Sequence, residues 1–176
     1  MAVRIGSARI NEKGTTTGGK AGDQTGGEVS IQNYYLHRKG WYVARPKDPT
    51  VAEKIAQAME AACNNNYIGY CQAHRDSLRK IAVKYNLSKV NVDVEADCSA
   101  LVRVCCLYAG IQVGDFNTAS ELETLRKTGA FEILKDDKRC KESTYLKRGD
   151  ILATHTKGHT VVVLDNGSGV TSASKS

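Results

Sequence analysis

ADCSALVRVCCLYAGI, residues 96–111, opens with an acidic residue, a cysteine and a serine and then turns almost wholly apolar. Leu101, Val102, Cys105, Leu107, Tyr108 and Ala109 predict a helix buried on more than one side, and Gly110 supplies its stop. Asp97 or Ser99 serves the unpaired amides of the first turn. The partial positive charge of a helix start favours a thiolate over a thiol at Cys98, which is where a nucleophile would be placed. The competing reading is a buried structural cysteine, since cysteine is among the most buried residue types. A histidine in a suitable place decides between the two.

At 176 residues the chain is long enough for one domain with a true core. Its 41% hydrophobic and 25% charged residues are ordinary for a soluble globular protein, and no apolar run is long enough to cross a bilayer. Membrane insertion is therefore not expected. Residues 1–20 carry no apolar core with a small-residue cleavage site, so the chain reads as made in the cytoplasm without a visible signal peptide. Six cysteines without a CxxC pair then read as mostly free thiols. Cys98 and Cys105 lie roughly 10 Å apart along one helix, too far for a disulfide. The net charge of +6 and pI near 9.0 admit an anionic partner. Because the basic residues are spread out and aromatics are only 6%, a dedicated nucleic-acid surface is not expected.

Around the central stretch, residues 6–28 hold seven glycines and read as an extended loop without a phosphate-binding GxxxxGK signature. Asp23, Gln24, Thr25 and Glu28 either face a cleft from a tight turn or belong to a solvated surface loop. Tyr34, Tyr35, Leu36, Trp41, Tyr42 and Val43 form an aromatic-rich packing segment, and Pro46 and Pro49 mark a boundary after it. Thr50 and Glu53 make a capping box for a helix running to Asn64. Residues 72–86 carry a helical pattern, and Val90, Val92 and Val94 suggest a short strand leading to Cys98. Ser120 and Glu123 cap another short helix, and residues 130–135 read as an edge strand. These divisions give an N-terminal segment at 1–45 packed on a catalytic domain at 46–168, then a linker or tail at 169–176.

Residues 146–169, LKRGDILATHTKGHTVVVLDNGSG, read as a strand through Ile151–Ala153, a polar loop, and a second strand opened by His159. A nucleophile at a helix start and a strand-borne histidine about sixty residues later is the order of papain-like thiol hydrolases. DCSALVRVCCLYAGI followed by LKRGDILATHTKGHTVVVL resembles the NlpC-type and CHAP group of papain-like peptidoglycan hydrolases over about residues 67–165, in the manner of a phage-endolysin catalytic domain. The resemblance implies Cys98 as nucleophile and His159 as base, with Tyr70 as the tyrosine near the nucleophile and Asp97 and Ser99 beside the substrate. The fold it implies is α+β and papain-like, with helices packed against a small antiparallel sheet and the nucleophile at the N-terminus of the central helix.

A third, orienting residue stays unassigned. Asp165 lies roughly 20 Å from His159 along a straight strand, and Ser172 or Ser174 would be poor orienters. His155 and His159 have a zinc-like spacing, but a loop and strand surround them and no HExxH glutamate is present, so no metal and no cofactor are expected. His37 and His74 read as surface or packing residues, and Cys63, Cys71, Cys105, Cys106 and Cys140 as buried thiols.

The expected activity is cleavage of an amide bond in bacterial peptidoglycan, as a stem-peptide endopeptidase or N-acetylmuramoyl-L-alanine amidase acting at the cell wall. Peptidoglycan and anionic wall polymers are the expected partners. The alternatives are a non-catalytic wall-binding module on the same fold and an intracellular papain-like amidase or deamidase.

Overall fold

The computed structural model describes residues 2–170, and the expectations placed on Ser172, Ser174 and the end of the tail lie outside them. In chain order the elements are β1 (Arg4–Ala8), β2 (Val29–Asn33), β3 (Trp41–Pro46), α1 (Pro49–Cys63), β4 (Ile68–Tyr70), α2 (Ser77–Ile81), β5 (Val94–Ala96), α3 (Cys98–Tyr108), α4 (Glu121–Lys127), β6 (Phe131–Leu134), α5 (Asp137–Cys140), β7 (Ile151–Thr154) and β8 (Thr160–Val163). The chain is thus mixed α+β. Its main sheet has the order β2-β1-β8-β7-β3-β6, with every pairing antiparallel, and β4 and β5 form a separate parallel pair. Among the described residues no helix is long and apolar enough to cross a membrane.

Strand alternation divides the core in two. Trp41, Val43, Leu152, Val161 and Val163 face one cluster, while Ala44, Ile151 and Val162 face the other, which also holds the apolar residues of α1 and α3. With both faces covered, β7 and β8 are buried along their whole length and read as continuous apolar runs. The apolar surround of α3 has the same cause: it packs against α1, β1 and β8 at once.

The structure corrects several local expectations. Residues 6–8, expected in the glycine-rich loop, belong instead to β1, which pairs with β2 on one side and β8 on the other. Gly6 is there for packing, since a Cβ on it would lie 2.6 Å from Met59 Cγ. The α1 cap is Asp48, whose carboxylate accepts from the Thr50 amide at 2.8 Å, and Pro49 fills a first-turn position that needs no amide. Thr50 is already helical, and Glu53 instead pairs with Arg148. Ser120 does precede α4, but its side chain makes no cap bond and Glu123 pairs with Arg126. The pattern at 72–86 yields only the short α2 and two 3-10 turns, because Ala82 is extended and Lys84 and Tyr85 take positive φ. Val92 is exposed, so the strand expected from Val90 shrinks to β5.

Candidate functional site

The two strands of the small sheet deliver the site. β5 ends at Ala96, and α3 starts two residues later with Asp97 as its N-cap, accepting from the Ala100 amide at 2.9 Å. Cys98 therefore occupies the first helical position, half-buried, on the wall of a cleft of about 490 Å³. Gln72, Arg75, Phe116, Thr118 and Gly158 also line this cleft. Thr118 Oγ1 accepts from the Gly158 amide at 2.9 Å, which ties the β7–β8 loop to the segment before α4.

On the far side, Gly158 lines the same cleft, and the Thr160 amide at the start of β8 acts on Cys98 in the direction that eases loss of its proton. His159 is the adjoining residue. Its backbone is fixed by Thr154, whose hydroxyl accepts from the His159 amide at 3.2 Å and whose amide donates back at 3.1 Å. The imidazole lies with its centroid 6.4 Å from both Trp41 and His37, against an aromatic wall made by the first residue of β3 and the loop before it. Trp41 is itself held by Nε1 donating to Tyr35 O at 2.8 Å. Among the described residues no hydrogen bond reaches the His159 ring from an orienting side chain. Asp165 is engaged elsewhere, with Arg4 at 2.9 Å, and His155 stacks on Tyr42 with centroids 3.8 Å apart.

Burial, then the charge of Asp97 and, once it has ionised, of Glu121, push the Cys98 thiol up to about 12, against the opposing pull of the Thr160 and Ser99 amides. The favoured thiolate expected from the helix start is therefore not the resting form. Burial, followed by the nearby positive groups His37 and Arg9, pushes His159 down to about 4. Both side chains rest neutral at neutral pH, one a proton donor and the other an unoccupied base.

Tyr70 is buried at the end of β4, within electrostatic range of Cys98 and Asp97, and burial pushes its phenol up to about 12. Its hydroxyl accepts from Gln72 Nε2 at 3.3 Å. Asp97 and Ser99 line the cleft, but their polar atoms are occupied by a residue the sequence reading did not single out. Arg75 donates to Asp97 at 2.7 Å, Ser99 Oγ at 2.8 Å, Asp115 at 2.7 Å and Phe116 O at 2.8 Å, clamping the helix start to the far cleft wall. Glu121 was missed as well. It is fully buried, acts electrostatically on Cys98, and lies 2.5 Å from Thr160 Oγ1. Nothing in a lone arginine or in a glutamate of an amphipathic helix marks such roles, because both are created by long-range packing.

The residues of the 21–28 turn serve the loop itself. Asp23 Oδ1 accepts from the amides of Thr25, Gly26 and Glu28, and Oδ2 from Val29. Glu28 has no exposed surface and bridges the Gln24 amide at 2.6 Å and the Tyr70 amide at 3.1 Å, so it braces β4 from behind.

The family model of the endolysin-like domain matches residues 5–170, from the start of β1 past the end of β8. No curated protein and no solved structure matches the chain.

Proposed function

The chain belongs to the endolysin-like domain family, and from that premise we propose that it is a papain-like cysteine hydrolase that cuts an amide bond of bacterial peptidoglycan, with Cys98 as nucleophile and His159 as base. The family supports a lysin-type role at the cell wall. The single observation that carries the chemistry is that Cys98, at the first position of α3, and Gly158, the residue before His159, line one open cleft.

In this reading the Cys98 S–H bond breaks as the proton passes to His159 and sulfur attacks the scissile carbonyl carbon. With the thiol raised and the imidazole lowered, forming the ion pair is uphill, so proton transfer is concerted with attack by sulfur and the negative charge passes on to the oxyanion. The oxyanion meets the unpaired amides at the start of α3, with the Gln72 side chain across the same cleft. Collapse breaks the C–N bond, the amine leaves with the proton held by His159, and water then hydrolyses the thioester. Tyr70 packs beside the nucleophile, and Arg75 keeps Asp97 and Ser99 in position from within the cleft wall.

The test is release of new amino groups from purified peptidoglycan by the full chain, with product masses to identify the bond. His159→Ala is expected to slow release by at least about 100-fold, and Cys98→Ala to reduce it to background. Release by Cys98→Ala at the wild-type rate would overturn the proposal, and wall binding without release by the wild type would mark a non-catalytic module.

A further inference from the structure

Three potential metal ligands converge beside the C-terminal end of the parallel β4–β5 pair, the end from which the chain also leads to Cys98. Cys71 follows β4, His74 lies in the next turn, and Glu95 is the middle residue of β5. Their ligand atoms all lie within 4.8 Å of one another. Cys71 is fully buried and the Glu95 side chain is 6% exposed, whereas the His74 side chain is 67% exposed. His74 Nδ1 lies 3.6 Å from Cys71 Sγ and 3.2 Å from Glu95 Oε1.

Hydrogen bonding alone accounts poorly for this arrangement. Nδ1 can either donate to the carboxylate or accept from the thiol, so one of the two contacts is left unmade, and among the described residues Nε2 makes no hydrogen bond. A proton relay would place the thiol and the carboxylate on opposite ring nitrogens. Moreover, the second Glu95 oxygen, Oε2, is buried with no hydrogen-bond partner. Around a tetrahedral zinc ion, bonds of about 2.3 Å to sulfur and about 2.0 Å to nitrogen and oxygen put sulfur and nitrogen about 3.6 Å apart and nitrogen and oxygen about 3.3 Å apart. The sulfur–nitrogen and nitrogen–oxygen spacings agree with these, and the remaining sulfur–oxygen pair lies within 4.8 Å.

We propose that Cys71, His74 and Glu95 form a binding site for a divalent cation of the zinc class, with a water on the exposed His74 side as fourth ligand. The thiolate selects a borderline-soft ion over calcium or magnesium. Glu12 and Glu28 add negative charge within electrostatic range of Glu95, which favours a cation further. The bound ion would staple the chain after Tyr70 to β5, and β5 runs directly into Asp97 and Cys98. None of the three residues lines the Cys98 cleft, although Gln72 and Arg75 beside them do, and the cation site does not depend on the proposed hydrolysis.

The experiment uses the full chain, stripped with a chelator and titrated with Zn²⁺ against a competing indicator, and separately with Co²⁺. One equivalent of tight Zn²⁺ and a thiolate-to-cobalt charge-transfer absorption are expected. Cys71→Ser, His74→Gln and Glu95→Gln should each weaken Zn²⁺ binding by about 100-fold or more, whereas Cys98→Ala and His159→Ala should bind as the wild type does. The wild-type titration stands even if one of these variants fails to fold. Less than one equivalent bound by the wild type would overturn the site, as would binding lost in Cys98→Ala but kept in Cys71→Ser.

Discussion

Glu121 shows how much a single proton decides. Thr160 Oγ1 lies 2.5 Å from Glu121 Oε2 and 2.8 Å from the Leu152 carbonyl oxygen, and a hydroxyl has only one proton to give. Both contacts are satisfied if Glu121 is a neutral acid that donates to Thr160 while Thr160 donates to Leu152. Burial pushes the carboxyl the same way, up to about 8, with Asp97 adding to it and the Thr160 bond opposing. The folded state then binds a proton that the unfolded chain has released, so the stabilisation is complete below the ordinary glutamate range and is lost as pH rises towards about 8. Glu121→Gln, which keeps a donor but cannot ionise, should gain on the wild type across that window by up to about 1.4 kcal/mol per pH unit. Denaturant unfolding of both proteins from pH 5 to pH 8 measures this, and a constant difference between them would refute the neutral acid.

Between elements, the contact that sets Tyr70 in place is backbone against backbone. A Cβ on Gly69, in the middle of β4, would lie 2.1 Å from Gly22 O and 3.0 Å from the Asp23 amide nitrogen, neither of which can swing aside as a side chain can. The glycine-rich turn thus lies directly on β4 and is held there by Glu28 and by Asp23 accepting from its own loop. Gly69→Ala should cost about 1–3 kcal/mol and, under the proposed function, slow release from peptidoglycan by shifting Tyr70. Unchanged denaturation midpoint and unchanged release would show that the loop yields freely. The glycines were plain in the sequence, but their reason was not, because a close approach involves two segments 47 residues apart. The helix at 98–108, its Asp97 cap, and the β7 and β8 strands were legible for the opposite reason: caps, stops and apolar runs are local signals.

Over the whole molecule, the main sheet is closed by chain ends that lie far apart in sequence. β1 lies between β2 and β8, and β3 lies between β7 and β6, so residues 4–46 supply half of the six strands. A fragment of residues 46–176 would expose the apolar edge of β8 and remove Trp41 from behind His159. It should fail to fold, giving no cooperative thermal transition by circular dichroism, whereas a cooperative transition would show that residues 46–168 suffice. The sequence by itself determined the α+β character, the helix with Cys98 at its start and the strand opened by His159, since each rests on periodicity, capping or β-branched runs within a dozen residues. Only the tertiary structure decided that β1 borders β8, that Arg75 and Glu121 surround the thiol, that both Cys98 and His159 rest neutral, and that Cys71, His74 and Glu95 converge. Those outcomes depend on burial and on contacts between distant segments, whose energies no local pattern encodes.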